Sequence, residues 1–260
     1  MIRPLIVVLA IIAGSGTLTG CSTVTESASQ QGKSPTATMQ AYTRLGLQYL
    51  QSGDLVNAKV AVQKALEIDT DFAPAYNALG LIFQVEEEKG LAQKYYLKAI
   101  ELEPDSAMFH NNYGAFLFAE ERYTEACKQL AQATQDPFYS NRAQAFENLG
   151  LCYRKIDVDD AAIKAFRRSL NAGGARPESL IQLSDLYLMQ GDMTLADTYY
   201  DQFVELVNQQ RVEHTARSLW LGIQLARAKN KSSTAATYGL LLKNLYPKSD
   251  EYRLYKEAFQ

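Results

Sequence analysis

The sequence predicts an all-α protein folded as a right-handed superhelical solenoid of about six helix-turn-helix repeats. The first observation behind this prediction is a constant interval, since Gly46, Gly80 and Gly114 follow one another at steps of 34 residues. The second is a fixed pattern, because a Leu or Tyr directly precedes each glycine and an Ala stands 12 positions after it. The pattern recurs at Leu45, Gly46 and Ala58; Leu79, Gly80 and Ala92; Tyr113, Gly114 and Ala126; and Leu149, Gly150 and Ala162.

This period and pattern are those of the tetratricopeptide repeat, in which each repeat forms two helices. Apolar residues at intervals of three and four place one apolar stripe on each helix. The glycine and the alanine are expected where the two helices cross, because a larger side chain there would cost roughly 1–3 kcal/mol by overpacking. A single helical pair cannot bury both of its faces, so neighbouring repeats must stack around one continuous core.

Later copies of the pattern are less regular. The interval between Gly114 and Gly150 is 36 residues, which places two added residues in the link 136–142. In the fifth copy, Ser184 replaces the glycine. The repeats are predicted near 39–72, 73–106, 107–140, 143–176, 177–210 and 215–248, within a repeat domain of residues 39–260 that ends in a capping helix.

The turns inside the repeats are predicted from glycine positions. Gly53, Gly90 and Gly191 are expected to end first helices in a left-handed conformation, which glycine adopts without strain. In the sixth repeat, Gly222 and Ala235 are 13 residues apart instead of 12. This longer interval predicts a turn that is one residue longer than the others.

The N-terminus resembles the signal of bacterial lipoproteins. A positively charged start and an apolar stretch too short for a permanent membrane span precede Leu18-Thr19-Gly20-Cys21. The resemblance implies a signal peptide of residues 1–20, lipidation of Cys21 and a flexible tether over 21–38. Ser22, in place of Asp, implies an outer-membrane location facing the periplasm. The alternative is an uncleaved membrane anchor with an incidental cysteine.

Charge and composition argue against nucleic acid as a partner. The chain has a formal net charge of −3 at pH 7 and no stripe of Lys and Arg, whereas nucleic-acid binding rewards clustered basic residues. Its hydrophobic content of 47% is ample for a repeat core. One elongated superhelix is therefore favoured over two globular domains.

Two cysteines beyond the signal segment, Cys127 and Cys152, fall on neighbouring predicted helices. The periplasm is oxidising, so a disulfide between them is one interpretation. The sequence does not supply the Cα separation that such a bond requires. Two buried thiols are the favoured interpretation, since free cysteine behaves as a small apolar residue.

The sequence contains no recognisable catalytic or metal-binding arrangement. His110 occupies the bulky position of its repeat, which favours a packed histidine, and His214 has no Cys or carboxylate at metal-ligand spacing. Phosphate-binding glycine loops and hydrolase or metalloprotease motifs are absent. The acidic runs at 86–88 and 157–160 fall in predicted turns, where solvated side chains are expected. We therefore predict no enzymatic activity, cofactor, metal or small-molecule substrate.

The first helices of stacked repeats are expected to line a groove that holds a partner. The groove positions are Thr43, Leu47, Leu50, Asn77, Leu81, Asn111, Asn112, Phe118, Glu147, Asn148, Leu151 and Arg154. The leucines and Phe118 exceed what solubility requires on an exposed face, unless the next helix covers them. Paired asparagines could hold a peptide backbone. The lysines of the cytosolic chaperone-tail clamp are missing, so an apolar peptide, strand or helix is the expected ligand.

Several runs of residues go beyond the repeat consensus. They are the run 42–50, Asn111-Asn112-Tyr113-Gly114, Gln135-Asp136-Pro137, the run 146–151, the run 216–223 and Leu245-Tyr246-Pro247. In these runs the chain resembles the type IV pilus biogenesis and stability lipoproteins, the PilF/PilW-type secretin pilotins. The resemblance implies an adaptor that binds secretin subunits and promotes their outer-membrane localisation and multimerisation. The alternative is another periplasmic adaptor lipoprotein, serving outer-membrane protein assembly or murein-hydrolase control.

Overall fold

A computed structural model describes residues 34–259 as a succession of α-helices. The helices are α1 (Pro35–Gln51), α2 (Leu55–Ile68), α3 (Ala73–Val85), α4 (Lys89–Leu102), α5 (Ala107–Ala119), α6 (Tyr123–Ala133), α7 (Arg142–Lys155), α8 (Asp159–Gly173), α9 (Pro177–Met189), α10 (Met193–Asn208), α11 (Ala216–Ala228), α12 (Ser232–Leu245) and α13 (Asp250–Phe259). Between residues 34 and 259 there is no strand, and the predicted all-α repeat fold is confirmed. The predicted signal peptide and Cys21 lie outside the described residues.

The helices pair as helix-turn-helix units, α1 with α2 through α11 with α12, and a three-residue turn joins each pair. Each first helix also contacts the first helix of the next repeat, and each second helix contacts the first helix that follows it. The buried apolar residues accordingly form several clusters that succeed one another along the chain. Each repeat is thus stabilised by its immediate neighbours.

In the early repeats, the first helix crosses the second at a glycine, as the pattern predicts. A Cβ added to Gly150 would lie 2.6 Å from Phe166 Cε1, and one added to Gly114 would lie 2.7 Å from Leu130 Cγ. Phe166 and Leu130 are fully buried, so neither can move aside into solvent. The glycines therefore let large side chains of the second helix pack directly on the backbone of the first.

The sixth repeat departs from this arrangement. Its turn, 229–231, has three residues like the others, so the prediction of a longer turn is wrong. Counted from the turn, Ile223 occupies the position of the crossing glycines, and Gly239 occupies the position of Phe166 and its equivalents. A Cβ added to Gly239 would lie 2.6 Å from Tyr255 Oη of α13, and one added to Gly222 would lie 2.9 Å from Tyr238 Cδ2 of α12. Gly222, which set the predicted interval, is one position out of register.

The middle residue of each three-residue turn is left-handed. Gly53 and Gly191 have φ of +80° and +79°, as predicted. Gly90 does not fill this role, because it lies inside α4 and the left-handed residue of that turn is Glu87, with φ of 61°. The chain reverses immediately after α3 ends at Val85, which is too early for Gly90 to take part. The equivalent positions in the third, fourth and sixth repeats are Glu121, Asp157 and Asn230, all with positive φ.

Replacing Glu87 with glycine should raise the free energy of unfolding by about 0.5–1 kcal/mol. Glycine adopts positive φ without the Cβ clash that strains other residues, although its greater freedom in the unfolded chain offsets part of the gain. Glu87→Ala is the matched control, since it removes the same carboxylate and keeps the Cβ. Urea denaturation of the three proteins measures the effect. Equal stability of the two variants would contradict the strain at this turn.

A disulfide joins Cys127 on α6 to Cys152 on α7, with the two Cα atoms 5.5 Å apart. The favoured prediction of two buried thiols is therefore wrong. The physical reason is that α6 packs directly against α7, which brings the Cα atoms into the range that a disulfide spans. Both cysteines are buried among the apolar residues of α5, α6 and α7. The bond covalently joins the second helix of the third repeat to the first helix of the fourth.

The two ends of the solenoid are built differently. At the N-terminal end, Ser34 Oγ accepts a hydrogen bond from the Ala37 N–H at 3.2 Å, and Pro35 fills the first helical position. Helix α1 thus begins inside the segment assigned to the tether. At the other end, Tyr252 and Tyr255 of α13 pack against the last apolar cluster. None of the helices between residues 34 and 259 combines the length and the hydropathy of a membrane-spanning segment.

Candidate protein-binding surfaces

The first helices of the repeats, α1, α3, α5, α7, α9 and α11, contact one another in succession and line what we term the inner channel. The predicted asparagines lie here and pair across repeats. Asn112 Nδ2 donates to Asn77 Oδ1 at 3.1 Å, and Asn148 Nδ2 donates to Asn111 Oδ1 at 3.2 Å. Asn77 and Asn111 are buried, whereas Asn112 and Asn148 are half-buried. The asparagines therefore join neighbouring repeats to one another along the channel.

Two predicted groove residues lie beneath the channel surface. Thr43 is buried, and its Oγ1 finds no hydrogen-bond partner within residues 34–259. Glu147 is buried because α9 packs over it, and its carboxylate accepts hydrogen bonds from Arg176 Nη2 at 2.7 Å and Ser179 Oγ at 2.7 Å. Arg176 also donates to Gln144, on the same helix as Glu147. Glu147 therefore holds α7 and α9 together instead of facing a ligand.

The predicted apolar positions Leu47, Leu50, Leu81, Phe118 and Leu151 are all half-buried. One side of each residue packs against the core clusters. A neighbouring helix therefore covers these apolar side chains only in part, and the rest of each side chain stays accessible in the channel. Phe118 of α5 and Leu151 of α7 together border a small cavity of about 70 Å³ in the channel wall. Apolar side chains from two repeats thus meet at one opening of the channel.

A basic cluster stands beside this apolar pair. Arg154 Nη1 and Arg217 Nη2 donate to the same atom, Asp185 Oδ2, at 2.8 and 2.9 Å. Lys155 lies on the same opening, which has a volume of about 410 Å³. The sequence indicated Arg154 but not Arg217, because the two are joined only when α7, α9 and α11 stack. The run Ala216-Arg217-Ser218-Leu219, which exceeds the repeat consensus, was the available signal.

A second surface, which we term the aromatic groove, lies between α2 and α4 and over α3. Its volume is about 830 Å³. The rings of Phe83 and Tyr95 stack at 5.3 Å between centroids, and those of Tyr76 and Tyr95 at 6.1 Å. Lys59 Nζ lies 5.6 Å from the centre of the Phe83 ring. Sequence reasoning missed this groove because it placed partner binding on the first helices alone, while α2 and α4 are second helices.

The two histidines serve local packing. His110 Nδ1 lies 2.7 Å from Gln129 Oε1, and its Nε2 lies 2.7 Å from Pro104 O, which ties α5 to α6 and to the preceding link. His214 is half-buried between the rings of Phe203 and Tyr238, and burial lowers the pKa of His214 below its usual value. Within residues 34–259, no group of three or more His, Cys, Asp or Glu is placed to hold a metal ion.

The chain is similar to proteins of known structure and role along most of its length. The tetratricopeptide repeat family matches residues 40–72, 73–106 and 95–128. The type IV pilus assembly protein PilF of Pseudomonas aeruginosa is 39% identical over 237 residues, 91% of this chain and 92% of that protein. A solved structure of Pseudomonas aeruginosa PilF has 40% identity and a TM-score of 0.80, covering 86% of this chain and 99% of that one. The structure of PilW, a widely conserved type IV pilus biogenesis factor, has 27% identity and a TM-score of 0.70, covering 84% and 97%.

Proposed function

This chain belongs to the PilF/PilW-type family of tetratricopeptide-repeat proteins of type IV pilus biogenesis, and from this premise we propose that it is a secretin pilotin. In this role it binds subunits of the pilus secretin in the periplasm and brings them to the outer membrane, where they form a multimer. The observation that carries the proposal is the likeness to PilF, which covers 91% of this chain and 92% of that protein.

The aromatic groove supports a protein partner of apolar character. Stacked aromatic rings form its floor, and Leu97 of α4 stands at its border with 44% of its surface exposed. Aromatic side chains contribute large contact areas at low entropic cost, which is why they are enriched at the centres of protein interfaces. Lysine and glutamate side chains surround this floor. A helix or strand with one apolar face fits such a surface.

Lipidation at Cys21 supplies the other half of the proposed mechanism. Each methylene of an acyl chain that enters the bilayer contributes about 0.8 kcal/mol, so several chains give firm anchoring. A tethered adaptor is confined to a thin layer at the membrane, which raises the effective concentration of the subunits it carries. Binding and anchoring together thus promote secretin assembly without any catalytic step.

The proposal is tested in cells that express the chain as their only pilotin. Cys21→Ser should leave secretin largely as monomers and remove it from the outer-membrane fraction, because bound subunits are no longer brought to that membrane. Immunoblots of membrane fractions measure multimers and their location. Full multimer levels in the outer membrane with Cys21→Ser would contradict the proposal.

Capture of secretin by the purified chain tests the binding step separately. Leu97→Asp should abolish capture, because it places a charge at the border of the aromatic groove. Leu254→Asp on α13 is the matched control, since Leu254 is 40% exposed and lies far along the chain from the groove. Capture of murein hydrolases or outer-membrane assembly factors in place of secretin would favour the alternative adaptor role.

A further inference from the structure

The inner channel has a basic end, which we define by Arg154 and Lys155 of α7 and Arg217 of α11. Arg154 and Arg217 are brought together by Asp185 Oδ2, which accepts from both guanidinium groups. Glu178 is the next carboxylate, 3.9 Å from Arg217 Nη1. Lys155 lines the same opening, with its Nζ 5.6 Å from the centre of the Tyr123 ring. The three cationic side chains thus outnumber the two carboxylates of Asp185 and Glu178. This local excess of positive charge occurs in a chain whose net charge is −3.

The guanidinium groups are held in place before any ligand arrives. Gln182 Oε1 accepts from Arg154 at 3.0 Å and from Arg217 at 3.1 Å, in addition to their bonds to Asp185. A guanidinium has five N–H donors, so these contacts leave donors available on both arginines. Arg217 keeps 40% of its side chain exposed toward the channel opening. Fixed, partly exposed donors of this kind favour a carboxylate, because charge-assisted hydrogen bonds are about twice as strong as neutral ones.

The apolar pair lies directly beside the basic end. Phe118 and Leu151 border the small cavity in the channel wall and also line the opening that contains Arg154, Lys155 and Arg217. One ligand could therefore place an apolar side chain against Phe118 and a carboxylate against the arginines. The channel continues beyond α5 toward α3 and α1. A bound segment does not need to end here, which favours an acidic side chain over a terminal carboxylate.

We propose that this part of the inner channel binds an extended partner segment in which an Asp or Glu side chain neighbours an apolar one. The carboxylate pairs with Arg154 and Arg217, and the apolar side chain packs on Phe118 and Leu151. This inference deepens the proposed function and rests on it for the view that the partner is a protein. It adds the chemical character of one part of that partner.

The test uses the purified full chain in detergent and a fluorescein-labelled Gly-Ser peptide with a central Leu-Asp-Phe-Glu sequence, measured by fluorescence anisotropy. Replacing the two acidic residues of the probe with Asn and Gln should weaken binding about 10- to 100-fold, since hydrogen bonds to charged groups contribute about 1.5–3 kcal/mol. Amidation of the probe's C-terminus should leave binding unchanged. Loss of binding on amidation alone would overturn the proposal in favour of a terminal carboxylate.

Variants of the chain identify the site. Arg154→Gln and Arg217→Gln should each weaken binding of the acidic probe about tenfold or more, with unchanged far-ultraviolet circular dichroism. Arg167→Gln, an exposed arginine on α8, is the control for loss of one charge and should bind normally. Equal binding of the acidic probe and the probe with Asn and Gln in place of its acidic residues would overturn the proposal, as would an equal loss in all three variants. If secretin capture depends on Leu97 but the acidic probe does not bind, the proposed function is supported and only this inference is contradicted.

Discussion

Opening the disulfide between Cys127 and Cys152 should lower the free energy of unfolding by about 3 kcal/mol. The two cysteines are 25 residues apart in sequence, and closing a loop of this length in the unfolded chain corresponds to about 3–3.5 kcal/mol of chain entropy. The bond also crosses the junction between the third and fourth repeats. In a solenoid where each repeat depends on its neighbours, weakening one junction reduces the coupling of the two halves.

Urea denaturation with and without a reductant measures this effect. The wild type should unfold at a lower urea concentration when the reductant is present. A Cys127→Ala, Cys152→Ala double variant should have the same unfolding midpoint with and without the reductant. The double variant therefore controls for any general effect of the reductant. A wild type whose unfolding curve does not shift on verified reduction of the bond would contradict the prediction.

Replacing Glu147 with alanine should lower the free energy of unfolding by about 3 kcal/mol. The carboxylate accepts hydrogen bonds from Arg176 Nη2, Ser179 Oγ and the Ser179 N–H. Arg176 Nε already has no hydrogen-bond partner within the described residues. Removing the carboxylate leaves the largely buried guanidinium of Arg176 without an opposite charge. Breaking a buried ion pair in this way typically costs about 3–5 kcal/mol.

An exposed glutamate provides the comparison. Glu178→Ala removes a carboxylate from α9 whose side chain is 48% exposed and lies 3.9 Å from Arg217, so it should cost less than about 1 kcal/mol. Thermal and urea unfolding of the two variants against the wild type give both values. A similar cost for the two substitutions would show that burial of Glu147 contributes no stability of its own.

The repeat fold could be predicted from the sequence because its signal is local and recurrent. Gly46, Gly80 and Gly114 mark helix crossings that leave little choice of side chain, so they recur at one spacing. Where the crossing is made differently, the same signal misleads. In the sixth repeat, Ile223 stands at the position of the crossing glycines, and Gly222 beside it gave a false register.

The turns and the disulfide needed information that spacing does not contain. Glu87 is left-handed because a three-residue turn sets its φ, although its residue type favours no such conformation. The bond between Cys127 and Cys152 depends on a Cα separation that only the packing of α6 on α7 determines.

The candidate surfaces were predicted only in part, because the spacing within one repeat does not show which residues of different repeats meet. Positions along one first helix follow from repeat geometry, and the sequence therefore indicated Phe118, Leu151 and Arg154, which line one opening in the structure. Burial of Glu147 depends on the approach of Ser179 from the next repeat, which the pattern of a single repeat does not indicate. Arg217 joins Arg154 only across α9, and the aromatic groove combines α2 with α4.

The disulfide has a mechanical consequence. When the two ends of the chain are pulled apart, repeats held only by noncovalent contacts can peel away one after another. The cross-link closes the stretch between residues 127 and 152 into a covalent loop that force cannot straighten. About 80 Å of contour length therefore stays hidden for those 25 residues, at 3.3 Å or so per residue. Stretching experiments on single molecules should show that length released only after reduction.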